Sequence, residues 1–277
     1  MILPSPFSLM DLVSVIIPTR NSSATISLCL ESVKKQTYPH IEIIIVDTDS
    51  TDGTAEFCKE SGTKVFNTDW KLLGSRYIGL LKSSGEYILA LDSDQFLERT
   101  CVQRCVSMMQ DHDMLCLEEM TYNPKTMVEK MFEADRRLIH EQADLQLDPL
   151  YGAMAPRFYR RTILEKVFAT VPEEILPFIV AGEDAIVYYE ASKLSNKVGI
   201  VPNALWHKEP GSLIELWHKN RRYGKSARQM VRTGHYSSLF RTKQRLRKSR
   251  GLSKNKIISS VLLLLKAPAY IVGFYFG

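Results

Sequence analysis

Two carboxylates, Asp92 and Asp94, stand directly after a short apolar run, Tyr87 to Leu91, in the stretch GEYILALDSD. A spacing of two on extended backbone aims both side chains the same way. Two hard oxygen ligands converging on one point suit Mg2+ or Mn2+ carrying a phosphorylated substrate. The same residue types also suit a turn and a helix N-cap, so the pair by itself leaves both readings open. Its position speaks for a ligand site, because in open α/β sheets ligands bind beyond the carboxyl ends of the strands. Pro18 to Asn21 and Asp47 stand in the same relation to two earlier apolar runs. A carboxylate such as Asp47 in that crevice can accept hydrogen bonds from a base N–H or a ribose hydroxyl. No G-x-G-x-x-G follows the first run and no G-x-x-x-x-G-K-[ST] occurs, which disfavours a dinucleotide fold and excludes a P-loop.

The elements that must hold these residues are legible from hydrophobic period. Val13 to Ile17 is a β-branched run ending at Pro18. After it Ile26, Leu30 and Val33 recur at helical spacing, with Ser22 or Ser23 as N-cap candidates. Ile41 to Val46 reads as a second buried strand, Thr54 to Glu60 as a helix, Lys64 to Phe66 as a third strand and Leu73 to Lys82 as a third helix. This alternation predicts an α/β fold with a parallel, doubly wound sheet up to Asp94, which gathers the three candidate loops along one edge. Further on, Cys101 to Met109 and Pro124 to Glu141 have helical patterns around a strand-like Met114 to Leu117. Gly182-Glu183-Asp184 opens another helix, where acids complement the helix dipole. Lys197 to Val201 reads as the last strand, and Ser212 starts a helix through about Arg232.

Taken in order, VSVIIPTRN, SLCLESVKKQTYPHIEIIIVDTDSTDGT and GSRYIGLLKSSGEYILALDSD resemble the N-terminal half of the family 2 inverting glycosyltransferases of GT-A fold. The likeness covers residues 13 to 94 almost without gaps and continues more thinly to about Ala227. It implies a Rossmann-like, mostly parallel sheet flanked by helices, and a nucleotide-sugar donor carrying UDP or GDP. By this resemblance Asp47 holds the base, while Pro18, Thr19, Arg20 and Asn21 line the nucleotide and Arg76 contacts the diphosphate. Asp92, Ser93 and Asp94 form a D-x-D element that holds Mn2+ or Mg2+ on the diphosphate. Glu183-Asp184 matches the E-D pair that supplies the catalytic base: Asp184 is the base, and Glu183 orients it or binds the acceptor. A late His completes the metal shell in GT-A enzymes, which makes His207 a candidate ligand beside the plainer reading of a structural histidine. Lys219-x-x-Arg222-Tyr223 is faintly similar to the Q-x-x-R-W element of processive synthases, and it offers Arg222 to the diphosphate. Tyr151 to Tyr159 falls where the family brings a strand and loop under the donor sugar. Two residues depart from the pattern: Thr48 replaces a second acid, and Tyr77 stands where Asn is frequent.

The 277 residues, 45% of them apolar, suffice for a sizeable core. A net charge of +5 hides an asymmetry: from Leu216 onward there are 15 Lys plus Arg and no Asp or Glu, against 21 bases and 31 acids before it. A region so basic needs an anionic partner or surface. No nucleic-acid module accompanies it. Ile257 to Gly277 approaches the length of a membrane span, interrupted by Lys266 and Pro268. It is either a core-packing helix or, with the bases before it, an interfacial or re-entrant anchor on an anionic membrane surface. Five cysteines without a C-x-x-C pair suit buried thiols in a reducing cytoplasm. MILPSPFSLM carries no basic residue and is not a secretory signal.

The expected division is a disordered lead-in (1–12), a GT-A domain (13–232) with a nucleotide-binding half (13–99) and an acceptor half (100–232), and a basic, apolar, membrane-associating segment (233–277). The function predicted is a metal-dependent inverting glycosyltransferase acting on a hydroxyl of a saccharide or lipid-linked acceptor at the cytoplasmic membrane face. Two alternatives stand beside it: transfer to a polyprenyl phosphate, which is already ionised and does not need Asp184, and a catalytically silent nucleotide-sugar or polyanion-binding protein.

Overall fold

β1 (Val13–Thr19) is buried along its whole length, as a β-branched run must be inside a sheet covered on both faces. Val13, Val15 and Ile17 face one apolar layer and Ile16 the other, the period of two that a strand imposes. In the computed structural model, which describes residues 11–143, 147–150, 152–237, 239 and 251–277, the chain then winds through α1 (Ile26–Lys34), β2 (Ile41–Asp47), α2 (Thr54–Glu60), β3 (Lys64–Asn67), α3 (Leu72–Lys82) and β4 (Tyr87–Ala90). These four strands are parallel in the order β3-β2-β1-β4. Their bounds agree with the hydrophobic pattern to within one or two residues. Most of the expected lead-in (1–10), Tyr151, and residues 241–250 of the basic run lie outside the described residues.

One local expectation needs correction. Neither Ser22 nor Ser23 caps α1, which starts after Thr25 with no side-chain cap. The Ser22 carbonyl accepts from the N–H groups of Thr25 and Ile26, while its hydroxyl shares a hydrogen bond of 2.9 Å with that of Ser93. The side chain is thus engaged by the loop after β4 and is not available to the helix.

The second half contributes β5 (Gln95–Leu97), α4 (Cys101–Met108), β6 (Met114–Thr121), α5 (Met127–Glu141), β7 (Pro156–Arg160), α6 (Arg161–Thr170), α7 (Glu183–Leu194), β8 (Val198–His207), α8 (Leu213–Thr233) and α9 (Lys254–Phe276). All eight strands form one sheet, ordered β3-β2-β1-β4-β7-β6-β8-β5. Most pairings in the sheet are parallel, as expected, β6 with β8 included, but this half is mixed: β7 runs antiparallel to both β4 and β6, and β5 antiparallel to β8. β6 and β8 both outrun their apolar stretches because they pair with each other as far as Thr121 and His207. α1 and α4 cover one face of the sheet, and α3, α6 and α7 the other. All five cysteines are buried and unpaired.

α5, α8 and α9 pack together beside the sheet around Val128, Phe132, Leu216 and Leu262. α8 and α9 approach so closely that a Cβ added to Gly224 would overlap the Tyr270 carbonyl, and one added to Gly273 would overlap that of Arg221. α9 is a single helix with Pro268 inside it, so the expected interruption does not break it.

Candidate active site

β4 ends at Ala90, and the chain turns through Asp92-Ser93-Asp94 into β5, whose Gln95 pairs with His207 on β8. That register sets Asp94 beside the imidazole. Its carbonyl accepts the Lys208 N–H at 2.9 Å, and its Oδ2 lies 3.3 Å from His207 Nε2. On the far side of the ring, Nδ1 lies 3.2 Å from Glu119 Oε2 and 2.7 Å from Arg136 Nη2. Burial opposes a charged imidazole, but Asp94 and Glu209 outweigh it and push the pKa up to about 9.

His207 Nε2 is buried and has no hydrogen-bond partner among the described residues. Nε2 faces Asp94 Oδ2 across the cleft while Glu119 and Arg136 hold Nδ1, the arrangement in which outer groups orient a ligating histidine, and a cation seated between Nε2 and Asp94 would take the place of the proton that Asp94 favours there. Asp94 and His207 therefore fit Mn2+ or Mg2+, ions that retain positions for phosphate oxygens and water. Asp92 does not complete the set. Among the described residues no three Asp, Glu, His or Cys side chains converge as a metal cage, so the expected trio of Asp92, Asp94 and His207 reduces to a pair.

Asp92 is held by arginines instead. Arg76, from the first turns of α3, contacts Asp92 Oδ1 and donates to the carbonyls of Ile16 at 3.1 Å and Leu91 at 2.9 Å. Arg157 arrives from the other side: Phe158 pairs with Leu89 across β4 and β7, which brings its neighbour to the end of β4. Its Nη2 lies 3.2 Å from Asp92 Oδ2 and its Nε 2.9 Å from Glu119 Oε1. Arg136 on α5 continues the series, 2.6 Å from Glu119 and in contact with Glu209. Burial alone would neutralise these groups, but the neighbours of opposite sign prevail. Arg136 and Arg157 together hold Glu119 well below the usual carboxylate range, and Asp92 and Glu119 hold Arg157 well above its own. Removing one partner from such a buried series costs ~3–5 kcal/mol, because it leaves an uncompensated charge.

Gly182, in the left-handed conformation at φ +80°, turns the chain into α7. Asp184 Oδ1 accepts the Ala185 N–H at 2.7 Å. Glu183 is buried, and that burial, with the nearby carboxylates of Asp184 and Asp92, pushes its pKa up to about 7. The acids face a cleft of about 790 Å³. Its floor carries Asp92, Asp94, Arg157 and His207; α8 adds Lys219, Arg222 and Tyr223, and α9 adds an apolar wall that includes Leu263, Leu264 and Tyr270. A carboxylate base, a carboxylate–imidazole pair and fixed cations in one cleft can deprotonate a hydroxyl while neutralising an anionic leaving group.

Of the residues singled out from the sequence, Pro18, Thr19, Arg20, Asp92, Ser93, Asp94, Glu183, Asp184, His207 and Arg222 all line this cleft. Three stand back from it. The Asp47 carboxylate is buried and accepts from the hydroxyl of Thr19 at 2.7 Å, and from the N–H and hydroxyl of Ser50 at 2.9 and 2.6 Å. Asn21, at φ +50°, accepts the Thr51 N–H at 2.8 Å and so ties the loops after β1 and β2 together. Arg76 lies beneath the floor, behind Asp92. Tyr77 packs on the ring of Phe168, 5.1 Å away, outside the cleft. Sequence reasoning missed Arg157, Glu119 and Arg136. The first left a faint signal, a base within a strand-like aromatic stretch; the other two left none, since β6 was expected to end before Glu119.

A sequence profile described as Glycosyl transferase family 2 matches residues 14–168. The poly(ribitol-phosphate) beta-N-acetylglucosaminyltransferase TarS of Staphylococcus aureus strain MW2 is 25% identical over 205 residues, which are 70% of this chain and 35% of TarS. The Escherichia coli UDP-Glc:alpha-D-GlcNAc-diphosphoundecaprenol beta-1,3-glucosyltransferase WfgD is 36% identical over 104 residues, 35% of this chain and 41% of WfgD. The chain thus spans well under half the length of these relatives. In three dimensions it is similar to TarS 1-349 in complex with UDP-GlcNAc, at a TM-score of 0.56 and 18% identity, covering 95% of this chain and 81% of that one. It is also similar to the mannosyltransferase PcManGT from Pyrobaculum calidifontis in complex with GDP-Man and Mn2+, at a TM-score of 0.58 and 16% identity, covering 94% and 73%. At these identities the likeness is one of fold, the GT-A type.

Proposed function

The chain belongs to glycosyl transferase family 2, whose members are transferases using nucleotide-sugar donors, and on that premise we propose that it transfers a sugar with inversion from a UDP- or GDP-sugar to a hydroxyl of a lipid-linked saccharide at the cytoplasmic face of a membrane. The observation that carries this reading is the meeting of Asp184, the Asp94–His207 pair and the α8 cations in one cleft with an apolar wall.

In this mechanism the end of β1 and the turn after it, Pro18 to Arg20, receive the nucleotide, and Asp92, fixed by two arginines, accepts hydrogen bonds from the donor. Asp184 takes the proton of the acceptor hydroxyl, and the oxygen attacks the anomeric carbon on the face opposite the diphosphate. The bond from that carbon to the diphosphate breaks, and the configuration inverts. Lys219 and Arg222 offset the charge released on the nucleoside diphosphate. Asp94 and His207 would hold a Mn2+ or Mg2+ ion, which would supply Lewis-acid neutralisation of the same group. The apolar wall of α9 supports an acceptor with a lipid portion, and WfgD, by its name, acts on a diphosphoundecaprenol-linked sugar.

A panel of UDP- and GDP-sugars, read by nucleoside diphosphate release with and without lipid-linked acceptors, tests the reading. Asp184→Asn keeps the shape but removes the base, so transfer should fall ~10²-fold or more while nucleotide affinity stays the same. Near wild-type transfer by that variant would point to an acceptor that is already ionised, such as a polyprenyl phosphate. No turnover of any donor would leave a silent binding protein.

A further inference from the structure

The outer face of α9 carries Ile257, Val261, Leu264, Ile271 and Tyr275, each between 44% and 71% exposed. They recur at intervals of four, three, seven and four, which on a helix makes one continuous stripe. The inner face is committed: Ser259 bonds to Asp135 on α5, Leu262 packs with Leu216 and Phe132, and Gly273 seats against α8. Two residues of the stripe, Leu264 and Ile271, also line the catalytic cleft. The exposed apolar stripe and the mouth of the cleft therefore share an edge.

What covers that stripe is indicated by charge. No Asp or Glu occurs after Glu215. α8, lying against α9, presents Arg221, Lys225, Arg228 and Arg232 at intervals of four, three and four, a basic stripe along its neighbour. α9 is long and apolar enough to cross a membrane by length and composition. A crossing orientation would require it to leave the glycine contact with α8 and strip one wall from the cleft. A second copy of the chain is also a poor cover, because a two-fold contact through this face would bring like-charged stripes together.

We propose that α9 lies in the plane of an anionic bilayer, with the α8 bases on the headgroups and the cleft mouth opening toward the lipid. Bases beside a partly buried apolar helix together give the two signals that stable interfacial binding needs. The proposal rests on the reading of a membrane-borne acceptor, and the two are separable by experiment.

Flotation of the full-length chain with vesicles of phosphatidylcholine, alone or with phosphatidylglycerol, is the direct test. Binding should require the anionic lipid and weaken with salt. The triple variant Ile257→Glu/Val261→Glu/Tyr275→Glu should bind vesicles at least ~10-fold more weakly with unchanged nucleotide affinity, which also shows that it folds. Because the native cysteines are buried, fluorophores on Ile257→Cys and Tyr275→Cys report depth selectively. Equal, shallow quenching at both positions is expected. A steep difference in depth between the two ends would mean a spanning helix and overturn the proposal. So would undiminished vesicle binding by the triple variant, or self-association that the same substitutions abolish without lipid. Docking as expected, combined with equal transfer to soluble and lipid-linked acceptors, would uphold this inference and remove the lipid acceptor from the functional reading.

Discussion

Both carboxylate oxygens of Asp92 are engaged by guanidinium groups, whereas Asp94 faces His207, so in the proposed mechanism the metal falls to Asp94 and His207. Arg157 matters to that division because one planar fork reaches Asp92 and Glu119 together. A lysine carries the charge but cannot span both. Arg157→Lys should therefore lower kcat by ~10- to 100-fold with little change in the donor KM, and Arg157→Met should in addition lose ~3–5 kcal/mol of stability from the stranded acids. Steady-state kinetics and thermal denaturation read the two effects, and an unaltered kcat in Arg157→Lys would discard the role. Glu183 gives a pH prediction. Its pKa of about 7 in the folded chain lies above the ordinary 4.5, so between those values the folded state holds more protons than the unfolded one. Stability then falls as pH rises through that window. Glu183→Gln removes the titration, and its unfolding free energy relative to wild type should rise between about pH 5 and about pH 8, by at most a few kcal/mol at ~1.4 kcal/mol per unit. Parallel pH curves for the two proteins would count against it. The acids Asp94 and Asp184 were legible because each stands beside an element boundary in sequence. Arg157, Glu119 and Arg136 were not, because they meet only through strand pairing and a helix distant in the chain.

Among elements, those built on local period were the readable ones. The run β1 to β4 follows its apolar stretches closely, since a parallel strand buried on both faces must be apolar throughout. β6 and β8 run past theirs because cross-strand pairing, which no window of sequence displays, extends them past Glu119 to Thr121 and to His207. The crossing of α8 and α9 supplies a test with a decisive sign. Alanine normally stabilises a helix by ~1 kcal/mol relative to glycine. At Gly224 the added Cβ would overlap the Tyr270 backbone carbonyl, which no rotamer change relieves. Gly224→Ala should therefore lower the thermal midpoint and slow transfer to a lipid-linked acceptor. A higher midpoint would show that the helices are not in backbone contact.

At the scale of the molecule, the alternation of strands and helices up to Asp94 announced the α/β class, while the mixed half of the sheet stayed hidden. The insertion of β7 between β4 and β6 joins residues far apart in the chain, and nothing near Pro156 to Arg160 marks its direction. The charge asymmetry was plain from composition, yet only the packing of α9 relates it to the cleft. That same β7, bonded on both edges, has a mechanical consequence. It joins the two halves of the sheet without a seam, so they cannot swing apart as two rigid jaws. Any opening and closing falls to parts outside the sheet, the α8–α9 pair among them. Substrates then come and go through a mouth that moves over a base that stays still.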